Sequence, residues 1–323
     1  MTIRRNLMKA SLALCAVLAG APVLAAGYPS QTITLVVPYA AGGGADNAAR
    51  IIAKALSEQL GQAIVIDNKS GASGSIGAAL VARSSPDGYT VLYDASAFAI
   101  NPALRKLPYD ARKDFIPVSQ AVRVPNIMVV AKNSPFNSLG DFIKAAKAEP
   151  GKYTFASYGP GSLAQMAGEL LKKDTGIDIV HIPYKGGAPA LVDVISGQVN
   201  TYFANAASSL GYITGGQLKA LAVTSPQRMS ELPNVPTVAE SGIKGFAVEE
   251  WNGFLVPART PADVVEKLHA AVQAVLARDD VKTQLGKLGL VPVGSSPKQF
   301  ADFIDAEIRR WTEVVKANNI VTN

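Results

Sequence analysis

The side chains that most often carry metal or nucleophilic chemistry are few in this sequence. The 323 residues include one cysteine, Cys15, and two histidines, His181 and His269. His181 lies in an apolar run, where a histidine is more often a hydrogen-bonded core or edge residue than a catalyst, and His269 lies in a helical pattern. The two histidines lack the spacing of a metal-binding pair, and the chain has no Gly-x-Ser-x-Gly motif of a serine hydrolase. We therefore predict no catalytic residue, no metal site and no cofactor.

Two glycine-rich turns are the feature best suited to binding. Gly42, Gly43 and Gly44 follow one predicted strand, and the segment 71–74 (Gly-Ala-Ser-Gly) follows another. Small residues let backbone N–H groups approach a ligand, and the N-terminus of a following helix adds unsatisfied donors and a partial positive charge. Both turns leave the carboxyl ends of strands, where open α/β sheets bind ligands, so together they suit a carboxylate. The alternative is that these glycines only form tight turns and allow close helix–strand packing.

Neither turn matches a nucleotide-binding motif. The Gly-Lys-Ser/Thr ending of a P-loop is absent, and Asn47 stands where the dinucleotide-binding motif needs its third glycine. Beyond the N-terminus the basic residues are scattered, with no cationic stripe and interleaved aromatic residues, so we expect no nucleic-acid partner.

The elements that must position these turns are short β-rich runs alternating with helical periodicity. The predicted strands are Thr32–Tyr39, Ala63–Asp67, Tyr89–Asp94, Ile127–Ala131, Tyr153–Ala156, Ile179–Tyr184, Val199–Ala204 and Leu218–Thr224. Ser138 and Ser296 have the spacing of helix-capping residues, and two long helices follow the run 246–256. Strands alternating with helices predict an α/β fold whose sheets are mostly parallel and flanked by helices.

The length of the chain exceeds the usual size of a single hydrophobic core, so two domains are the default expectation. The domains could follow one another in tandem. Alternatively, the chain could leave the first domain near Ile127 and return near Glu249, so that two α/β lobes would frame a cleft. Periodicity fits both arrangements.

The N-terminus has the pattern of a secretory signal peptide. Arg4, Arg5 and Lys9 precede an apolar run that ends in small residues, with cleavage predicted near Ala25 or Ala26. The run is too short to span a bilayer stably. Lipidation is disfavoured because the cysteine lies within the apolar run and follows a leucine.

Removal of residues 1–25 changes the apparent charge of the protein. The segment contains three basic and no acidic residues, so 28 basic residues then face 25 acidic ones and the net charge falls from +6 to +3. The mature chain of about 298 residues contains no cysteine, hence no disulfide and no thiolate nucleophile. We expect an exported protein whose preference for anions comes from placed backbone donors.

An ordered series of motifs resembles the solute-binding receptors of tripartite tricarboxylate transporters, the Bug receptors. The series spans essentially the whole mature chain. Its members are Pro38–Asp46, Gly71–Gly77, Pro86–Thr90, Leu107–Asp110, Asp114–Val118, His181–Gly186, Pro189–Leu191, Gly197–Val199, Pro236–Gly242 and Trp251-x-Gly253.

The resemblance implies a two-lobed periplasmic binding protein of the type II-like class. Lobe I would comprise residues 26–126 and 248–323, and lobe II residues 127–247. The protein would be a monomer and not an enzyme; it would close on a small organic acid, a mono- or dicarboxylate, and deliver it to the permease subunits of the transporter. In such receptors the first two loops hold the proximal carboxylate largely through backbone groups and ordered water.

The resemblance also implies a set of ligand-binding residues. They are Tyr39, Gly43, Gly44, Ala45, Asp46, Ser73, Gly74, Ser75 and Ser96 from lobe I, with Tyr158, Gly161, Ser162, Tyr184 and Asn205 from lobe II. We expect Asp46 to organise its loop by pairing with Arg50 one helical turn later or by accepting hydrogen bonds from the turn. Ser162 has the spacing to cap the helix that follows it.

Two positions depart from the pattern of the family. Gln165-Met166 stands where a His-Leu pair is common, and Ala204-Asn205 stands where an Asp-Asn pair is frequent. The missing acid at Ala204 weakens the case for an amino-acid ligand, because an ammonium group needs a carboxylate partner. Two other functions are weighed: a sensor or adaptor that signals to a partner protein, and a secreted hydrolase on the same fold.

Overall fold

The computed structural model describes residues 27–317 and residue 320. The predicted signal peptide, residues 1–25, lies outside them. The chain divides into two compact units, residues 1–30 and residues 31–323. In the first unit the described residues, 27–30, form neither helix nor strand.

The second unit alternates strands and helices, as the sequence predicts. The strands are β1 (Ile33–Val37), β2 (Ile64–Asn68), β3 (Thr90–Ala95), β4 (Phe115–Ala131), β5 (Thr154–Ser157), β6 (Val180–Pro183), β7 (Thr201–Asn205), β8 (Leu218–Val223), β9 (Glu249–Pro257) and β10 (Val291–Pro292). The helices are α1 (Gly44–Leu60), α2 (Ser75–Ala82), α3 (Ala97–Leu104), α4 (Leu139–Ala148), α5 (Leu163–Thr175), α6 (Gly187–Ile195), α7 (Ala206–Thr214), α8 (Ala262–Ala277), α9 (Asp279–Gly286) and α10 (Pro297–Ala317). A 3₁₀ turn, Ala72–Gly74, precedes α2.

The strands form a mixed sheet with the order β2-β1-β3-β9-β4-β7-β5-β6, while β8 and β10 also pair with β4. The strands predicted from periodicity supply the parallel pairs, because β1 lies between β2 and β3 and β5 lies between β6 and β7. The middle of the sheet is antiparallel, where β9 pairs with β3 and β4 and where β4 pairs with β7. The α/β fold with flanking helices is therefore confirmed.

Two strands, β4 and β9, link the two halves of the sheet, and we call them the linking strands. Residues 115–125 of β4 pair with β9, whereas residues 126–131 pair with β7 and β8. The sequence predicts a strand only at 127–131, because Pro117 and Pro125 remove backbone donors from the earlier part. Register shifts next to Pro117 and between Gln120 and Val122 show how the ladder accommodates the irregular segment.

Local capping signals in the sequence are confirmed. The Asp141 backbone N–H donates to the Ser138 hydroxyl oxygen (3.1 Å) at the start of α4. At the start of α10, Gln299 N–H donates to Ser296 Oγ (3.2 Å) and Ser296 N–H donates to Gln299 Oε1 (2.9 Å). Both hydrogen bonds of a capping box are thus formed.

Helix α10 fixes the linking strands by covering them with aromatic side chains. Phe300 and Trp311 are fully buried, and the Phe300 ring meets the ring of Trp251 on β9 edge to face, with centroids 5.3 Å apart. Such pairs add to the free energy gained by burial of the rings. Although α10 has 21 residues, its other face is charged. Within residues 27–317, no helix is both long and apolar enough to cross a membrane.

Candidate functional site

Asp46, in the first turn of α1, organises the first loop, which connects β1 to α1. Its carboxylate, 1% exposed, accepts hydrogen bonds from the Gly42 N–H (2.8 Å), the Arg50 guanidinium (2.8 and 3.1 Å) and the Asn68 amide (2.9 Å). Burial alone would raise the pKa of Asp46, but these donors and the charge of Arg50 outweigh burial, and the pKa lies below its ordinary value. The predicted pairing of Asp46 with Arg50 is confirmed. Protein donors therefore occupy this carboxylate, which fixes the conformation of the loop.

The N-terminus of α1 faces Asn205 of β7. A Cβ atom at Gly44 would lie 2.6 Å from Asn205 Oδ1. Gly43, the N-cap residue of α1, offers no side-chain acceptor to the helix. Asn205 in turn caps α7 by accepting from the Ala207 N–H (3.0 Å). The N-termini of α1 and α7 are thus close together, and their partial positive charges suit an anion between them.

The second loop holds two non-glycine residues in the left-handed region. Ala72 and Ser73 have φ values of 45° and 51°, a conformation that is uncommon for residues with a side chain. The Ser73 carbonyl accepts from the Asn101 amide (2.8 Å), and the Ser73 hydroxyl donates to the Pro160 carbonyl. The Ser75 hydroxyl donates to the Ala72 carbonyl (2.9 Å). Ser75 therefore stabilises the turn internally, whereas Ser73 reaches across to the turn before α5.

Tyr39, which is half-buried, and the buried Asp94 form a hydrogen-bonded pair behind the second loop. The Tyr39 hydroxyl donates to Asp94 Oδ1 (2.8 Å), as does the Ala95 N–H (2.7 Å). A Cβ atom at Gly74 would lie 3.2 Å from Tyr39 Oη and 3.4 Å from Asp94 Oδ1, so the loop backbone passes close to this pair. Burial raises the pKa of Asp94 to about 7, the nearby Glu250 carboxylate adds to the rise, and the two hydrogen bonds oppose it.

Glu250 on β9 is a second buried carboxylate, 4% exposed. Its Oε1 accepts from the Ser96 N–H (3.2 Å), its Oε2 accepts from the Tyr158 hydroxyl, and the side chains of Ser96 and Asn205 are further partners. Burial raises the pKa of Glu250, although these hydrogen bonds lower it in part. Because Tyr158 lies before α5 and Asn205 before α7, Glu250 joins a linking strand to two turns of the other half of the sheet.

The turn before α5 is organised by its own helix cap. The Gln165 N–H donates to Ser162 Oγ (3.4 Å), so the predicted capping role of Ser162 is confirmed, and the Gly161 N–H donates to Gln165 Oε1 (2.8 Å). Arg105 Nη2 donates to the Pro160 carbonyl (3.1 Å). The turn is therefore held both from within and from α3.

Most of the predicted ligand-binding residues come together where the two halves of the sheet meet. These are Tyr39, Gly43, Gly44, Asp46, Ser73, Gly74, Ser75, Ser96, Tyr158, Gly161, Ser162 and Asn205. Ala45 lies in the first turn of α1. The Tyr184 hydroxyl is used elsewhere, because it donates to Asp193 on α6 (2.6 Å). The ligand contacts of all these residues stay a prediction.

Sequence reasoning missed the two buried carboxylates, Asp94 and Glu250, and the Tyr202 hydroxyl. The Tyr202 side chain is fully buried, its hydroxyl has no hydrogen-bond partner among the described residues, and burial and the Glu250 carboxylate raise its pKa. One signal was available: Asp94 and Glu250 are acids within strands that otherwise read as buried, and buried acids are rare unless they are paired.

His181 has the structural role that its surroundings in the sequence predict. It lies on the edge strand β6, its Nε2 is 2.7 Å from Ser157 Oγ, and its ring stacks on Phe155. Burial lowers the pKa of His181 to about 4. Ser157 is fully buried and also binds the turn at Gly159, so this Ser–His pair holds a turn. Among the described residues, no group of three or more His, Cys, Asp or Glu side chains is placed to hold a metal ion.

The role of Asp46 leads to a prediction about stability. Asp46→Asn should lower the free energy of unfolding at pH 7 by about 2 kcal/mol, because the amide leaves part of this donor set unsatisfied. A carboxylate with a lowered pKa stabilises the fold above its unfolded pKa of ~3.9 and loses that effect as the pH falls through the folded value. In urea titrations, the free energies of unfolding of the variant and of the wild type should therefore become equal in strong acid.

A matched control for this prediction is Asp302→Asn. Asp302 forms the same i,i+4 kind of ion pair with Lys298 (2.6 Å), but both side chains are exposed. Exposed pairs contribute about 0–1 kcal/mol, so this variant should stay close to the wild type. Equal losses in the two variants would contradict the organising role of Asp46.

Comparison with known proteins gives a consistent picture. A sequence model of the family described as tripartite tricarboxylate transporter family receptor matches residues 48–320. The structure of the periplasmic binding protein BugD is 35% identical, with a TM-score of 0.86 over 92% of this chain and 100% of that chain. Rpa4515 of R. palustris, solved with adipate, is 38% identical with a TM-score of 0.88 over 91% and 99% of the two chains. MatC (Rpa3494) of Rhodopseudomonas palustris, solved with bound malate, is 33% identical with a TM-score of 0.82 over 89% and 100%.

Proposed function

The chain belongs to the tripartite tricarboxylate transporter receptor family, and from that premise we propose that it is a periplasmic receptor for a small organic acid. It captures a mono- or dicarboxylate between two lobes and delivers the acid to the permease subunits of a tripartite transporter. The receptor acts as a monomer and catalyses no reaction. Support comes from the family match, from the periplasmic BugD and from relatives solved with adipate and malate.

One observation carries this proposal: two helix N-termini and two glycine-rich turns meet in one place. Gly44 at the start of α1 faces Asn205 at the start of α7, and the second loop touches the turn before α5 through Ser73 and Pro160. Backbone N–H groups at helix N-termini bind carboxylates without a basic side chain. A carboxylate held at this point would contact both halves of the sheet and would stabilise their approach.

We propose that the two lobes are residues 26–126 with 248–323 and residues 127–247. The pairing of β4 supports this division, because the strand changes partners from β9 to β7 between Pro125 and Asn126. The chain re-enters lobe I on β9, which begins at Glu249. Lobe closure would then bend the linking strands, and ligand binding would favour the closed state through contacts that the open state lacks.

The test is a thermal shift screen of ligand-stripped mature protein against mono- and dicarboxylates, followed by calorimetry on each hit. A ligand at a hundredfold excess over its Kd should stabilise the fold by about 2.7 kcal/mol. The corresponding alcohols and diols of equal chain length serve as the control and should produce no shift. A broad panel of acids that leaves the melting temperature unchanged would contradict the proposed function.

A further inference from the structure

Two buried carboxylates near the proposed ligand site, those of Asp94 and Glu250, have no ion-pair partner among the described residues. Among residues 27–317 neither Asp94 nor Glu250 forms an ion pair with a lysine, arginine or histidine, although both are at least 96% buried. Their hydrogen-bond partners are neutral: tyrosine hydroxyls, backbone N–H groups and an amide. Burying a carboxylate without a cationic partner raises the free energy of the folded state by several kcal/mol. A receptor that binds only anions would gain nothing that offsets this destabilisation.

Further polar atoms in the same region also lack a hydrogen-bond partner within the part of the chain that the structure describes. The Tyr202 hydroxyl is fully buried, lies near Glu250 and Tyr158, and forms no hydrogen bond. The Asn101 amide donates to the Ser73 carbonyl, which leaves its buried Oδ1 as a free acceptor. Arg105 Nε, a buried donor without a partner, belongs to the same region, because Arg105 Nη2 and Asn101 Oδ1 would lie 3.3 and 3.1 Å from one Cβ atom on Gly161. Buried polar groups without partners are uncommon, so this region leaves both an acceptor and donors for a ligand.

The two acids lie next to the loops that are proposed to hold the ligand carboxylate. Asp94 Oδ1 would be 3.4 Å from a Cβ atom on Gly74 of the second loop. The Asn205 side chain, a hydrogen-bond partner of Glu250, also lies against Gly44 at the N-terminus of α1. Burial raises the pKa of both acids, and a cation placed beside them would reverse that shift. The second carboxylate of a diacid would instead meet two groups of its own charge.

We infer that Asp94 and Glu250 select an organic acid that carries an ammonium group and disfavour a dicarboxylate. The ammonium group would donate to the two carboxylates, while the ligand carboxylate binds at the helix N-termini. This inference rests on the proposed function and narrows its ligand class. The missing acid at Ala204 argues against an amino-acid ligand only if no other carboxylate lies near the ligand loops. Asp94 lies beside the second loop, and Glu250 contacts the turn before α5.

The experiment compares acids matched in length. A four-carbon set contains butanoate, succinate, 2-aminobutanoate and 4-aminobutanoate, and a six-carbon set contains hexanoate, adipate, 2-aminohexanoate and 6-aminohexanoate. Calorimetry on the wild type should show one amino acid binding on the order of tenfold or more tighter than the diacid of its set. Glu250→Gln and Asp94→Asn, which retain the shape of each side chain, should each reduce that preference by about tenfold.

Glu249→Gln is the control, because Glu249 is the adjacent acid but lies near Arg123 (3.7 Å), and it should leave the preference unchanged. Diacid binding as tight as that of every amino acid would overturn the inference and leave the proposed function standing. The inference would also be overturned if Asp94→Asn and Glu250→Gln both kept the wild-type preference for the amino acid over the diacid. If no acid binds the wild type or any variant, the proposed function fails and the inference fails with it.

Discussion

Asp94→Asn is expected to stabilise the unliganded protein at pH 8 by on the order of 4 kcal/mol. The pKa of Asp94 rises from its ordinary value of 3.8 to about 7 on folding, and each unit of pKa corresponds to about 1.4 kcal/mol. The native state therefore binds a proton that the unfolded state has released, and stability declines as the pH rises through the folded pKa. An amide keeps an oxygen for the Tyr39 hydroxyl and the Ala95 N–H and removes the buried charge.

The measurement is the difference in unfolding free energy between Asp94→Asn and the wild type, from urea titrations between pH 4 and pH 8. The difference should be largest at pH 8 and should fall below about 1 kcal/mol near pH 4, where Asp94 is protonated in the native state and about half protonated in the unfolded state. The variant must be compared with the wild type at each pH, because His181 also changes the stability of both proteins. Its pKa is lowered to about 4, so it destabilises the fold below about pH 6.5, and this contribution cancels in the difference. Asp46→Asn should have the opposite sign at pH 8, since the pKa of Asp46 is lowered. Destabilisation by Asp94→Asn throughout this range would contradict the prediction.

The destabilisation that Asp94 and Glu250 cause indicates that these acids serve ligand binding and not folding. Replacing a buried charge without a cationic partner by a neutral group of similar shape is often stabilising, so folding alone gives no reason to keep Asp94 or Glu250. Natural proteins retain such destabilising groups mainly where a ligand or a reaction uses them. The ligand that recovers this free energy is one that brings a positive charge into the cleft.

The sequence predicts those parts of the fold whose signals are local. Strand β1 is an apolar run followed by glycines, and Ser162 and Ser296 stand at capping distance from Gln165 and Gln299. Each signal lies within a few residues, so one sequence suffices to read it. The loop role of Asp46 is local too, because Arg50 is one helical turn away.

The rest depends on contacts between distant parts of the chain. Tyr158 and Glu250 are 92 residues apart in the sequence and share a hydrogen bond, and no spacing rule connects them. The same holds for β4, whose prolines argue against a long strand and whose two sets of partners come from different halves of the sheet. The two acids were missed for this reason: only the assembled sheet shows that Asp94 and Glu250 lie in one region, with no ion-pair partner among residues 27–317.

Gly44→Val is expected to weaken ligand binding by on the order of a hundredfold or more while leaving the fold intact. Asn205 Oδ1 lies 2.6 Å from the place of the first added carbon, so the valine would push the N-terminus of α7 away from that of α1. Ligand contacts from one lobe would then be lost, and 2.7 kcal/mol of binding free energy corresponds to about a hundredfold in Kd. The position tolerates a side chain locally, since its φ is not left-handed and valine has a slightly higher helix propensity than glycine.

The matched control is Gly211→Val, on α7, where an added Cβ would meet nothing within 4 Å. Both variants place the same side chain at a helical glycine, so they should unfold at similar urea concentrations. Calorimetry with the ligand identified by the screen should then separate them, with wild-type affinity in Gly211→Val and loss of binding in Gly44→Val. Wild-type affinity in Gly44→Val would show that the ligand is held without the approach of Asn205 to the first loop, and the proposed closure around the helix N-termini would be wrong.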